Sequence, residues 1–215
     1  EPIGGPDLMV RMREQSAAYG TKIKTETVAS VDLSSRPFTV RGDSAEYRTE
    51  SLIIATGATA KRLDFPGEAT YWQKGISACA VCDGALPVFR NRPLVVIGGG
   101  DTACEEASFL SKFGSTIQML VRRDVLRASQ AMQNRVFKNE KIQILWETEA
   151  VEAVGEQFLT GVRVNDKKAG EERVIEAAGL FFAIGHTPNT EFLDGQLETD
   201  PEGYLVTEPN STKTK

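Results

Sequence analysis

Histidine occurs once in these 215 residues and cysteine only three times. A structural zinc site takes four Cys or His ligands. The pair Cys79-x-x-Cys82 would need two more, and only Cys104 and His186 remain, far off in sequence and inside other patterns. No metal is therefore expected. Three cysteines also fall short of an even disulfide framework and suit a reducing compartment with one catalytic pair. Long apolar runs are missing: none approaches the ~18–20 residues of a membrane span. The chain opens Glu1-Pro2-Ile3-Gly4-Gly5, without the basic and apolar regions of a signal peptide and without methionine, so a processed or truncated chain is expected. Basic excess is missing too. A formal net charge of −5 argues against general nucleic-acid binding.

What is present centres on Ser77-Ala78-Cys79-Ala80-Val81-Cys82-Asp83-Gly84. Two cysteines at this spacing at a helix start can close a small disulfide ring, and the helix N-terminus lowers the thiol pKa toward neutral pH. Asp83, directly after the second cysteine, is placed to hold or release the proton that each thiol–disulfide step moves. Half of a zinc site and an inert pair are the competing readings.

About fifteen residues on, an apolar strand over 94–97 runs into Gly98-Gly99-Gly100-Asp101-Thr102-Ala103 and then a helix over 101–113. Gly98-x-Gly100-x-x-Ala103 is a dinucleotide pattern. Gly98 permits the tight turn, Gly100 lets the backbone approach a pyrophosphate, and Ala103 lets helix and strand pack closely. Free N–H groups at the helix start then face the phosphates. After the next strand, 116–121, come Arg122, Arg123, Asp124 and Arg127. An NAD site usually ends this strand with an acid that holds the ribose 2′-hydroxyl. Arginines there form forked, charge-assisted hydrogen bonds to a 2′-phosphate, favouring NADPH over NADH. A solvated basic surface is the alternative.

The rest of the chain reads as follows. A helix spans 6–19, with Arg11, Arg13 and Glu14 on a solvated face. Short strands follow at 22–27, 29–32, 37–41 and 46–48, a meander. The apolar run 51–57, ending Ala55-Thr56-Gly57, has the pattern of a buried parallel strand delivering a loop to a ligand. Residues 61–75 look like a linker, and 79–89 like a short helix ending near Leu86-Pro87. A helix over 128–139, a strand over 142–146, a second meander at 151–154, 160–164 and 173–177, and an apolar strand over 179–185 complete the chain. The segments ending Ala55-Thr56-Gly57 and Ile184-Gly185-His186 both follow a meander, an internal echo that suggests two related nucleotide-binding domains. Cys104 is expected to be a buried thiol, His186 a hydrogen-bonded hinge residue, and Trp72 and Trp146 packing residues. Glu105 and Glu106 suit a helix start, and Glu106, one turn below the glycine loop, is also placed to order nearby residues.

Taken together, Cys79-Ala80-Val81-Cys82-Asp83-Gly84, the glycine loop, Arg122-Arg123-Asp124 with Arg127-Ala128-Ser129, and Gly179 through Asn189 resemble the low-molecular-weight NADPH-dependent thioredoxin reductases of bacteria, fungi and plants. The resemblance covers essentially the whole chain. It implies an α/β fold of two Rossmann-like, three-layer ββα domains, with the NADPH domain inserted into a truncated FAD domain. The expected boundaries are 1–61 and 186–215 for the FAD part and 62–185 for the NADPH domain with its redox disulfide. It implies that electrons pass from NADPH through FAD to the Cys79–Cys82 disulfide and on to thioredoxin. Cys82 would lie against the flavin, Cys79 would attack the thioredoxin disulfide, and Asp83 would give and take the proton. A large domain rotation would alternate between the two half-reactions. The cofactor residues it implies are Gly98, Gly99, Gly100, Asp101, Thr102, Ala103, Arg122, Arg123, Arg127, Ile184 and Gly185 for NADPH, with Ala55, Thr56 and Gly57 for FAD. The family's first βαβ unit, with its FAD pyrophosphate loop, would precede Glu1, and the closing FAD segment would follow Lys215, so the chain is expected to be an internal fragment in which Ala55-Thr56-Gly57 alone represents the FAD site. Val121 departs from the histidine that many relatives carry there. Family members are usually homodimers. The expected location is the cytoplasm, with chloroplast or mitochondrion compatible. A flavin reductase serving another disulfide carrier, of the peroxiredoxin-reducing type, and an NADPH-binding fragment without turnover of its own are the alternative functions.

Overall fold

The computed structural model describes residues 2–214. They divide into two compact units: residues 2–57 with 189–214, and Ala58–Pro188.

The first unit opens with helix α1 (Gly5–Ala18), begun by Pro6 and Asp7 in the first turn. Pro suits the first turn because its missing N–H would have no helical partner there. None of α1's residues is buried. Strands β1 (Val28–Asp32), β2 (Phe38–Gly42) and β3 (Glu46–Thr49) form an antiparallel meander in that order. The strand expected at 22–27 is not formed. Ile23 is that segment's one large apolar residue, so it has no face to bury, and it is held by side chains instead. The Glu26 carboxylate accepts hydrogen bonds from the Ser44 hydroxyl at 2.8 Å and from the Tyr47 hydroxyl. These bonds, the Tyr47 hydroxyl's first, hold the carboxyl of Glu26 below its ordinary pKa, and the bond to Glu26 raises that of Tyr47.

The buried parallel strand expected over 51–57 is also overturned. The segment has no strand pairing among the described residues, and Ile53 is 91% exposed. An apolar run becomes a buried strand only where neighbours pair with it on its edges, and none of the described residues does. The unit is closed across the sequence instead. Gln196 accepts from the Leu33 N–H at 2.7 Å and donates to the Val31 carbonyl at 2.8 Å, and Asn189 donates its side-chain N–H to the Thr56 carbonyl at 3.0 Å.

The central unit is a three-layer sandwich. Strand β4 (Ala58–Ala60) and the short helix α2 (Glu68–Tyr71) precede β5 (Ile76–Ser77). Helix α3 (Ala80–Asp83) carries the second cysteine. Strand β6 (Leu94–Ile97), helix α4 (Asp101–Leu110), β7 (Ile117–Val121), helix α5 (Gln130–Phe137) and β8 (Ile142–Trp146) follow. Then come β9 (Thr148–Gly155), β10 (Leu159–Asp166), β11 (Glu171–Glu176), β12 (Gly179–Phe182) and β13 (His186–Pro188). The parallel sheet has the order β5-β12-β6-β7-β8, and the antiparallel sheet β11-β10-β9 forms a second layer.

Side-chain alternation explains the layering. Leu94, Val96, Ile117, Met119, Val121 and Phe181 point to the face covered by Ala103, Cys104, Ala107 and Leu110 of α4 and Val136 of α5. Val95, Ile97, Leu120, Leu180 and Phe182 point the other way, onto Ala153, Leu159, Val162 and Val164 of the antiparallel layer. Both faces of the parallel sheet are buried, so its strands read as continuous apolar runs rather than alternating ones. Trp72 packs edge-on against Phe182 and Trp146 lies against the helix-side core. Cys104 is fully buried, and burial, followed by the charge of Asp101, raises its thiol pKa and keeps it unreactive.

The expected unit edges are 61/62 and 185/186. The antiparallel β4–β13 ribbon, with His186 opposite Ala60, belongs to the central unit, and His186 is exposed on it. The stretch 61–75 is not a plain linker. Glu68 is buried and accepts from Arg62 Nε at 2.6 Å and from the backbone N–H groups of Asp64 at 2.6 Å and Leu63 at 3.2 Å. A single carboxylate thus folds the segment back on itself.

Candidate functional site

A cavity of about 1150 Å³ opens at the C-terminal ends of the parallel strands, inside the central unit. Open α/β sheets bind ligands in this place. One wall is the turn Gly98-Gly99-Gly100 between β6 and α4. Gly98 has φ +145°, and a Cβ there would lie 2.5 Å from the Ala183 carbonyl oxygen and 2.8 Å from the Ala103 Cβ. Gly98→Ala is therefore expected to destabilise the unit by roughly 2–4 kcal/mol, read as a fall in the thermal midpoint. Gly100 is different: nothing lies within 4 Å of the Cβ it lacks. The space over it is open to a ligand phosphate, and α4 begins there without a side-chain cap, leaving its first N–H groups for an anion.

The arginines sit on the loop after β7, and Arg122, Arg123 and Arg127 all line the cavity. Their loop is tied to the glycine turn. The Arg127 N–H donates to the Gly99 carbonyl at 2.7 Å, and Ser129 donates its backbone N–H at 2.9 Å and its hydroxyl at 2.7 Å to Asp101. These two bonds, the hydroxyl's first, hold the Asp101 carboxyl below its ordinary pKa. Asp101 is thus engaged with the arginine loop, while Ala103 is buried under the turn; neither lines the cavity. Thr102, Ile184 and Gly185 do. The opposite wall escaped the sequence reading: Lys61 and Arg62 line the cavity, the Lys61 N–H bonds the Gly185 carbonyl, and the Arg62 guanidinium lies 4.1 Å from the Trp72 ring centroid. The signal was the Lys61-Arg62 pair with Glu68 six residues on, but charges in a Pro-Gly-containing stretch read as a solvated linker.

The residues present fit a pyridine nucleotide. The turn is open at Gly100, where a phosphate could approach, and three arginines line the same cavity. Ala55, Thr56 and Gly57 fall in the other unit, are exposed, and line neither this cavity nor the smaller one beside Trp146. On their own they do not enclose a flavin.

Cys79 and Cys82 are disulfide-bonded, with their Cα atoms 5.3 Å apart. Cys79 caps α3: its Sγ accepts from the Cys82 N–H at 3.2 Å. Cys79 is half-buried and Cys82 exposed. Asp83 reaches back to the first cysteine through Ser77: the Ser77 hydroxyl donates to Asp83 Oδ2 at 2.6 Å and accepts from the Cys79 N–H at 3.0 Å. Ser77 is a residue whose part in the site the sequence did not disclose; serine before a C-x-x-C has too many ordinary uses to stand out. The helix expected over 79–89 is shorter, ending at Asp83, with a 3₁₀ turn over Pro87–Phe89.

Beneath the disulfide helix lies Glu106 of α4. Its Oε2 is buried without a hydrogen-bond partner among the described residues. Burial, opposed by the Ala80 N–H and assisted by the nearby charge of Glu105, pushes this carboxyl up from 4.5 to about 7. The folded chain then holds a proton that the unfolded chain releases between those values. Folded stability falls as pH rises through that window. Glu106→Gln is expected to remove this fall, by on the order of 1–2 kcal/mol after allowance for solvent screening, measured by denaturant melts at about pH 5 and about pH 8.

Residues 8–215 match the pyridine nucleotide-disulphide oxidoreductase family. The chain is 55% identical over 215 residues to the thioredoxin reductase of Dictyostelium discoideum, covering 99% of this chain and 67% of that protein. It belongs to the thioredoxin reductase family. Its members are FAD- and NADPH-dependent disulfide oxidoreductases. A mitochondrial thioredoxin reductase of Kluyveromyces lactis is 55% identical, with 99% of this chain and 62% of that one covered. The solved thioredoxin reductase of Giardia duodenalis superposes with a TM-score of 0.80 at 42% identity, over 99% of this chain and 70% of that one. The chain thus spans about two thirds of these relatives' length. No helix among the described residues is long and apolar enough to cross a membrane.

Proposed function

We propose that the chain carries the nucleotide site and redox disulfide of an NADPH-dependent thioredoxin reductase, in which electrons from NADPH, relayed by FAD in the complete enzyme, reduce Cys79–Cys82 and pass on to thioredoxin. The observation that carries this reading is that the cavity walled by Gly100 and three arginines and the C-x-x-C helix belong to one compact unit. The turn at Gly100 and the first N–H groups of α4 hold the pyrophosphate. Arg122, Arg123 and Arg127 hold the 2′-phosphate. Asp101 with Ser129 keeps the arginine loop in register, and Glu68 keeps Lys61 and Arg62 on the facing wall.

At the disulfide, two electrons and two protons turn the S–S bond into two S–H groups. Asp83, hydrogen-bonded to Ser77, holds or releases the proton at its Oδ atoms. The dithiol then reduces the disulfide of thioredoxin, Cys79 attacking and Cys82 closing the ring again. Thioredoxin is the protein partner and a second copy of the chain the oligomeric one. Location in cytoplasm or mitochondrion is compatible with the relatives. The test is NADPH consumption by the full-length enzyme with oxidised thioredoxin: turnover supports the proposal, and oxidation of NADPH only with another disulfide carrier overturns it.

A further inference from the structure

Helices α3 and α4 meet in register. Gly84 has no room for a side chain: a Cβ there would lie 2.6 Å from Leu110 Cδ2 and 3.4 Å from Phe109 Cε1. One turn earlier on each helix, the Ala80 N–H, in the residue after Cys79, meets the Glu106 carboxyl. The other carboxyl oxygen, Oε2, is buried with no partner. A half-buried acid with one backbone contact and one buried oxygen left without a partner is costly to retain for packing alone. We infer that Glu106 is a positioning residue of the redox centre, holding the Ala80 end of α3 and setting, through its charge, the acidity of the Cys79–Cys82 dithiol.

The physical argument concerns which negative charges share this corner. Reduction places thiols, and on deprotonation a thiolate, next to Ala80. Cys79 Sγ takes the Cys82 N–H and the Glu106 carboxyl the Ala80 N–H, so a thiolate and an ionised Glu106 would be two negative charges at one helix start. Ionised, Glu106 repels the thiolate; protonated, it does not. Helix α3 also brings Asp83, α4 itself brings Asp101, Glu105 and the buried Cys104 thiol, and α5 brings Arg135, while β6 and β7 carry no titratable side chain. Of these, Glu105 is the one whose charge acts on Glu106. The two acids would divide the work: Asp83 with Ser77 serves the proton, and Glu106 sets how readily the thiol gives it up.

The inference rests on the dithiol being redox-active, but its test uses neither nucleotide nor thioredoxin, so the two can fail separately. The full chain is reduced with excess dithiothreitol, freed of reductant, and alkylated with iodoacetamide across pH. In Glu106→Gln the midpoint of the pH–rate profile is expected to fall by about half to one pH unit, a three- to tenfold change in thiol acidity. The wild-type profile is expected to carry a shoulder near pH 7 that the variant lacks. Coincident midpoints overturn the inference, as does a shift in Glu106→Ala without one in Glu106→Gln, which would mark a packing effect. Should the variants fail to fold, the unaltered protein decides: a shoulder supports the inference, and a single-group titration without one overturns it.

Discussion

Cys82→Ser in the full-length enzyme is expected to abolish NADPH-driven reduction of thioredoxin, a loss on the order of 10³-fold or more, while leaving NADPH affinity unchanged. A serine hydroxyl forms no disulfide and cannot release the mixed disulfide that Cys79 would make with thioredoxin. The nucleotide affinity is spared because Cys82 does not line the 1150 Å³ cavity, and its one backbone bond, to Cys79 Sγ, is within its own helix. Turnover assays and equilibrium NADPH titration of the same preparation check both halves. Surviving turnover would show that the electron path does not run through this disulfide. Weakened NADPH binding would show instead that the substitution disturbs the β6–α4 turn.

The second large effect concerns the nucleotide. Arg123→Ala is expected to weaken NADPH about 10- to 100-fold and NADH less than about threefold, with Arg122→Ala and Arg127→Ala following the same direction. Only NADPH carries the 2′-phosphate, and a charge-assisted, forked hydrogen bond to it is lost with the guanidinium. The arginines are exposed, which favours the lower end of the range. Fluorescence titration of each variant with both nucleotides measures the ratio. Equal losses would reassign the arginines to the shared part of the two molecules.

Sequence patterns were informative wherever the chemistry was local. The glycine turn, the C-x-x-C pair and the arginine cluster each lie within one strand–turn–helix or helix start, so spacing alone located them. The second meander was anticipated within a few residues, because its alternation is a property of each strand by itself. The failures share a cause. Residues 51–57 have the composition of a buried strand, but no strand pairs with them among the described residues, and Ile53 is left at the surface. Residues 22–27 have β-branched content without an apolar face. The stretch 61–75 looked like a linker because the bonds that fold it converge on one buried Glu68, and the burial of a charge is not written in its neighbours.

The sequence by itself determined the family, the layered α/β architecture, the dithiol and the kind of nucleotide, because each follows from residue types at short, fixed spacing. Only the tertiary structure decided what those residues touch. It tied Asp101 to Ser129 rather than to the cavity, joined Asp83 to Cys79 through Ser77, brought Lys61 and Arg62 round to face the glycine turn, and buried one carboxyl oxygen of Glu106. The physical reason is that hydrogen bonding and desolvation depend on which groups meet between separate elements, and on where water is excluded between them. Both are properties of the packed chain.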